Sequence, residues 1–289
     1  MIDIPRADAG DEVTADEVFD ERVRGRELRV SVRRARGTGP ARTPLLLLNG
    51  IGATIDVLQP LVDQLPPELE VIRFDPPGIG GSPLPMVPYH MTTLALTVGQ
   101  LVRQLGYEQV DVLGFSWGGG VAQQVAVSQA GLCRRLVLVA TGTGLIMVPG
   151  RPHVLAKMLT PRRHRDPDYA RQIAAELYGG TMRSHPERAA EVLHSGFWRS
   201  RDRGYYYQLL AAFGWSTLPV LGLIRQPTLV VAGDDDPIIP TINAKIMQKG
   251  IPNAKAHIYQ GGHLALLTEA AELTPVIDKF LSAVSAAPC

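Results

Sequence analysis

The sequence predicts an α/β protein with a mostly parallel central sheet flanked by helices and a helical cap inserted late in the chain. Three observations predict it. Short apolar runs, which suit strands buried on both faces, alternate with helix-length amphipathic stretches, the rhythm of parallel α/β layering. One such run, Val110 to Phe115, enters the pentapeptide Gly114-Phe115-Ser116-Trp117-Gly118 and is followed by a helix-compatible stretch, the strand, sharp turn and helix that a nucleophile elbow requires. The interval 144–225 then breaks the alternation, with several helix-length patterns and no convincing buried strand.

Residues 1–21 carry eight acids against the single base Arg6 and few large apolar side chains, so a disordered acidic tail is expected there. The folded core is expected over 22–143 and 226–289, with the cap over 144–225. Leu28 to Arg33 alternates with period two, as a half-buried edge strand does, before the Gly37-Thr38-Gly39-Pro40 turn. Leu45-Leu46-Leu47-Leu48 is a buried strand ending in Asn49-Gly50-Ile51-Gly52, and Val71 to Asp75 is another, ending in a Pro- and Gly-rich loop to Ser82. A helix is expected from Thr92 to Leu105. Beyond the elbow helix, strands are expected at Arg135–Ala140, Pro227–Ala232 and Ala254–Tyr259, and closing helices at Leu264–Leu267 and Pro275–Val284.

The inserted interval holds nine of the chain's 17 aromatic residues, and eleven Arg and one Lys against six acids. Aromatics at that density form core in most proteins. An insertion between two sheet strands, however, lies above their C-terminal ends, where sites form in α/β folds, so a cap over the site is the sharper reading. Trp198, Tyr206 and Trp215 are the cap side chains expected to meet an apolar substrate.

Gly114 and Gly118 suit a turn where strand and helix backbones approach too closely for a Cβ, and Ser116 is expected in a strained conformation with its hydroxyl clear of the strand end. The helix N-terminus behind it favours developing negative charge. A serine hydroxyl is a weak nucleophile at neutral pH and needs a base, itself oriented by an acid, and at such elbows the partners follow in the order Ser, acid, His. Of the chain's seven histidines only His257 and His263 come after the strand at Thr228 to Val231. His257 falls within a strand, where a structural or surface role suits it; His263 follows Gly261-Gly262 in the loop beyond and is the expected base. The acid comes from Asp234, Asp235 or Asp236; Pro237 holds Asp236 in an extended conformation, which makes it the choice, whereas solvation or turn hydrogen bonds suit the other two. Two N–H donors are needed for an oxyanion, and the backbone N–H groups of Ile51 and Trp117 are expected to supply them, with Gly50 and Gly52 keeping the loop open.

The remaining composition excludes more than it implies. A net charge of +1 gives no field for nucleic acid or an acidic polymer. The two cysteines, Cys133 and Cys289, have neither metal spacing nor a disulfide framework, and H-E-x-x-H, C-x₂-C and G-x₄-G-K-[ST] patterns are absent, so neither metal nor cofactor is expected. Gly142-Thr143-Gly144 lacks the third glycine of a dinucleotide fingerprint, and Ser116 excludes an aspartate nucleophile at the elbow. The N-terminus has no basic and apolar signal segment and no apolar run approaches transmembrane length, from which a soluble, cytoplasmic protein is expected.

With elbow, order and cap in hand, the sequence resembles the α/β-hydrolase superfamily and, within it, the intracellular depolymerases of medium-chain-length polyhydroxyalkanoates. The resemblance is carried by Asn49-Gly-Ile-Gly-Ala53, Phe74-Asp-Pro-Pro-Gly-Ile-Gly-Gly-Ser82, Ser116-Trp-Gly-Gly119, Met147-Val-Pro-Gly150, Pro161-Arg-Arg163, Tyr178-Gly-Gly180, Gly204-Tyr-Tyr206, Gly214-Trp215 and Gln226 to Pro240. Core motifs are specific to the superfamily and cap motifs discriminate within it. The resemblance implies an α/β-hydrolase fold, a triad of Ser116, Asp236 and His263, and a substrate that is a polyester of 3-hydroxy fatty acids, held in granules whose surface the protein would meet. An esterase or lactonase of small soluble esters would share every core motif, and a non-catalytic binding protein would use the same scaffold with a triad member lost.

Overall fold

The computed structural model describes residues 16–37, 39–194 and 202–283; the expected cap contact Trp198 lies outside them. Among the described residues eight strands form one sheet: β1 (Glu17–Val23), β2 (Arg26–Arg33), β3 (Leu45–Leu48), β4 (Val71–Phe74), β5 (Val110–Phe115), β6 (Cys133–Val139), β7 (Thr228–Gly233) and β8 (Ala254–Tyr259). Their order across the sheet is β1-β2-β4-β3-β5-β6-β7-β8. The first two strands pair antiparallel with each other, β2 pairs antiparallel with β4, and every later pairing is parallel.

β1 corrects the acidic-tail boundary, because Glu17 to Glu21 belong to a paired strand. Counting acids hid a period-two pattern in which Phe19 and Val23 face the core while Asp20 and Arg22 face solvent. Arg24 and Gly25, both at positive φ, close the hairpin in the two-residue turn that matches strand twist. β2 is therefore covered by β1 rather than lying at the edge.

The central strands alternate between two apolar layers. Leu45, Leu47, Leu113 and Val137 face one side, where α1 (Gln59–Gln64) packs, and Leu46, Leu48, Val112 and Leu138 face the other, against α2 (Met91–Gln104) and α3 (Trp117–Ser128). Each of these side chains is buried, contributing ~1.5–3 kcal/mol. Strands with both faces apolar need helices on both faces, and the short parallel connections supply them.

Between β6 and β7 lie α4 (Pro152–Ala156), α5 (Pro167–Tyr178), α6 (Arg188–His194) and α7 (Asp202–Ala212). This segment, the expected cap, adds no strand to the sheet among the described residues, only a bridge between Gly144 and Ser216. Among the described residues it has no separate core. Ile173 and Leu177 of α5 join the layer of α1, while Tyr207 and Ala211 of α7 join that of α2 and α3. After β7 come α8 (Ile242–Gly250), α9 (Ala265–Thr268) and α10 (Ala270–Ser282). The last helix begins earlier than the expected Pro275, which lies inside it; Leu273, Ile277 and Leu281 bury its apolar face and outweigh the hydrogen bond that proline lacks.

Candidate active site

β5 ends at Phe115 and α3 begins at Trp117, so the reversal is carried by Ser116 alone, at φ 53° and ψ −119°. A non-glycine residue there is strained by ~1–3 kcal/mol and must be held by its surroundings. The Ser116 N–H donates to the Val139 carbonyl at 2.9 Å, and its own carbonyl accepts from Gly119 N–H at 2.9 Å and Thr141 Oγ1 at 2.7 Å. The crossing is too tight for side chains: a Cβ on Gly118 would run into the carbonyl of Leu48, and one on Gly114 into the backbone of Gly119. Ser116 occupies the N-cap position of α3 without using its hydroxyl as a cap, which leaves that hydroxyl for another partner.

The partner is His263. Its Nε2 lies 2.9 Å from Ser116 Oγ, and its Nδ1 lies 2.7 Å from Asp236 Oδ2. A carboxylate only accepts, so Nδ1 carries the proton toward Asp236 and Nε2 presents a lone pair to the serine hydroxyl. The other Asp236 oxygen accepts the N–H groups of Ile238 and Ile239, each at 2.9 Å, which fixes the carboxylate on the turn made by Pro237. Both side chains are buried, and the His263 ring lies against Phe115 with centroids 5.5 Å apart. Ser116, Asp236 and His263 thus form one hydrogen-bonded chain across the C-terminal ends of β5, β7 and β8. His257 sits in β8 opposite Val231, outside that chain.

The other two aspartates of the run have different partners. Asp234 accepts the N–H of Gly261, tying the loop after β7 to the loop carrying His263. Asp235 reaches the cap, accepting Gly180 N–H at 2.7 Å and the Nε and Nη2 groups of Arg183 at 2.6 and 2.7 Å. Arg183 and the Gly180 N–H hold the Asp235 carboxyl below its ordinary range. Beside this hook the cap touches the site, for the backbone N–H of His263 donates to the Tyr178 carbonyl at 2.7 Å. A Cβ on Gly180 would meet the backbone of Gly262, so the two loops are in backbone contact.

The loop carrying Ile51 follows β3, and Gly50 in it lies against Phe115 and Ser116. As the first residue of α3, Trp117 has a backbone N–H with no acceptor within the helix. The indole of Trp117 reaches up to the cap and donates to the Gln208 carbonyl at 3.0 Å. Gln208, fully buried on α7, also accepts the N–H of Gly52 at 2.7 Å. Sequence reasoning overlooked Gln208, although one amide within Tyr205-Tyr206-Tyr207-Gln208-Leu209-Leu210-Ala211-Ala212 is the visible signal of a buried polar contact. Trp215 packs on Gly120 and donates to Gln124 of α3 at 2.7 Å, so it clamps the end of the cap to the core. Tyr206 is 41% exposed.

Behind the Ile51 loop, Asp75 accepts N–H groups from Ile55 and Gly81, each at 2.8 Å. Burial pushes its carboxyl up to about 6, against the pull of those two donors. A groove of about 600 Å³ lined by Asp16, Arg33, Asp63 and Arg73 shares no residue with the serine site. Its Arg33 is already committed, donating to the carbonyls of Val62, Leu65, Pro66 and Leu69. Among the described residues no cluster of His, Cys, Asp and Glu could hold a metal ion, and no helix is long and apolar enough to cross a membrane.

Comparison with known proteins agrees with this architecture. The sequence profile of the family described as alpha/beta hydrolase fold matches residues 43–270. A poly(3-hydroxyalkanoate) depolymerase of Ectopseudomonas oleovorans is 47% identical over 253 residues, covering 87% of this chain and 89% of the relative. Among solved structures, the enol-lactonase of Burkholderia xenovorans LB400 superposes with a TM-score of 0.78 at 22% identity, over 92% of this chain and all of that one. An esterase from Exiguobacterium antarcticum gives 0.76 at 20% identity, over 91% of this chain and 99% of that one. At such identities the two structures speak for the fold alone.

Proposed function

The chain belongs to the α/β-hydrolase family and is a carboxylic ester hydrolase, and from that premise we propose that it cleaves the ester bonds of medium-chain-length poly(3-hydroxyalkanoate) through an acyl-enzyme intermediate on Ser116. The observation that carries the chemistry is the continuous chain from Ser116 Oγ through the His263 ring to Asp236, at 2.9 and 2.7 Å. The similarity that supports the polyester substrate runs through the cap as well as the core.

In this reading Ser116 Oγ attacks the ester carbonyl carbon while His263 Nε2 takes the hydroxyl proton, and Asp236 stabilises the imidazolium that forms. The carbonyl oxygen becomes an oxyanion held by the N–H groups of Ile51 and Trp117, at the positive end of α3. Collapse breaks the ester C–O bond, and His263 returns its proton to the departing 3-hydroxy end of the polymer. A water molecule, deprotonated by the now neutral His263, attacks the acyl-serine; the second tetrahedral species releases the carboxylic acid and returns the proton to Ser116. The test is titration of the purified protein with a fluorophosphonate, with turnover measured in parallel on medium-chain polymer and on p-nitrophenyl butyrate. One equivalent of label at Ser116 and turnover on polymer are expected, and Ser116→Ala should lose at least ~10³-fold in rate while remaining folded. More than a tenth of the wild-type rate in Ser116→Ala would overturn the nucleophile assignment, and labelling without polymer turnover would overturn the substrate.

A further inference from the structure

The two residues assigned to the oxyanion hole belong to the core, yet a single cap residue touches the local structure of both, one with its side chain and one with its backbone. Gln208 Oε1 accepts the N–H of Gly52, which fixes the peptide plane immediately after Ile51. The backbone carbonyl of the same residue accepts the indole N–H of Trp117, a bond that does not depend on the side chain at 208. Gly52 itself is at φ 75°, a left-handed conformation, and a Cβ there would press on the ring of Tyr205, the Gln208 neighbour one turn back on α7. The start of α7 is seated equally closely, since Gly204 lies against the backbone of Gly78 in the loop after β4.

The orientation of the amide is dictated by its surroundings. Gly52 N–H is a donor and must face the oxygen, so the Gln208 NH₂ group points elsewhere, and it is buried with no acceptor among the described residues. A leucine would fill this site between Tyr207 and Leu209 without an unpaired amide, so packing alone does not account for glutamine. We propose that Gln208 is a positioning residue: from the cap, its side-chain oxygen sets the Gly50–Gly52 turn so that the Ile51 N–H converges with that of Trp117, whose indole is anchored on the Gln208 backbone carbonyl. This rests on the reading of Ser116 as nucleophile. It makes α7 part of what stabilises the tetrahedral intermediate, for short esters as much as for polymer, and separates Gln208 from cap residues that would contact only a long substrate.

The experiment replaces Gln208 by Leu, Asn and Glu in the full chain and measures kcat and KM on p-nitrophenyl butyrate, melting temperature, and the affinity of an alkyl trifluoromethyl ketone, whose serine adduct carries an oxyanion. Gln208→Leu removes the acceptor, and Gln208→Asn, one methylene shorter, withdraws it from Gly52; both are expected to lower kcat about 10- to 100-fold with KM within about threefold. Ketone affinity should fall by the same factor as kcat/KM. Gln208→Glu keeps an oxygen for Gly52 and should restore kcat to within about threefold of wild type. A folded Leu or Asn variant with unchanged kcat, a loss confined to KM, ketone affinity that does not follow kcat/KM, or no recovery in Gln208→Glu would each overturn the proposal. Where Gln208→Leu fails to fold, the Asn and Glu variants carry the same comparison. Ser116→Ala keeps the two readings apart: its activity sinks the nucleophile, whereas an inactive Ser116→Ala beside a fully active Gln208→Leu sinks only the role of Gln208.

Discussion

Ser116 is strained, and the strain is held by three backbone-directed bonds, one of them from Thr141. In the proposed mechanism such a residue contributes reactivity only if the base opposite is equally constrained, and His263 is held through Asp236. Asp236→Asn is therefore expected to lower kcat on p-nitrophenyl butyrate by ~10³–10⁴-fold, because the amide can offer an N–H to Nδ1 and favour the wrong tautomer. Asp234→Asn keeps an oxygen for Gly261 N–H and should stay within about threefold; a greater loss there than in Asp236→Asn would reverse the roles. Asp75 gives a pH prediction. Its folded value near 6 exceeds the ordinary value of about 4, so over that window the folded chain keeps a proton that the unfolded chain has released. Its contribution to stability is full below about pH 4 and is lost as pH rises through 6. The melting temperature of wild type relative to Asp75→Asn should fall from pH 4 to 6 and level off above; a relative rise across that range would contradict the burial argument.

At the scale of elements, the loop after β7 does two things with adjacent aspartates: Asp236 faces the site and Asp235 hooks the cap through Gly180 and Arg183. The Arg183 pair is half exposed, and such pairs contribute about 0–1 kcal/mol. Asp235→Ala is accordingly expected to lower the melting temperature by no more than about 4 °C and kcat by less than about tenfold; inactivation on the scale of Asp236→Asn would mean that the hook aligns His263 outright. Much of this layout was legible beforehand, because strands buried on both faces announce themselves as apolar runs and the elbow has a fixed spacing. What was not legible depended on partners distant in sequence. Glu17 to Glu21 became a strand only because β2 and the core offered Phe19 and Val23 a surface, and α10 ran through Pro275 because its apolar stripe met α1. Asp235 reads as solvated or bonded within its own turn, and Gln208 goes unread, because their partners at Gly180, Arg183 and Gly52 lie far away in sequence.

For the molecule as a whole, α7 has two sides. Gln208 faces inward, while Tyr206 and Leu210, four residues apart on the helix, and Phe213 just beyond its end are 41%, 51% and 76% exposed. A water-insoluble polyester would meet such a face by burial of apolar area at ~25 cal/mol per Å². Replacing all three by Ser is expected to reduce co-sedimentation with medium-chain polymer granules at least tenfold while p-nitrophenyl butyrate turnover stays within twofold; proportional loss of both would assign the face to folding. The Tyr178 carbonyl that receives the His263 N–H bears on how such an enzyme could change its diet. Exchanging one lid for another needs a seam that leaves the chemistry untouched, and here the seam passes through the backbone that seats His263, the proposed general base. A chimaera with a foreign cap spliced at 144 and 225 should therefore inherit a misplaced imidazole, and co-transplanting the 261–263 loop with the cap should restore its seat.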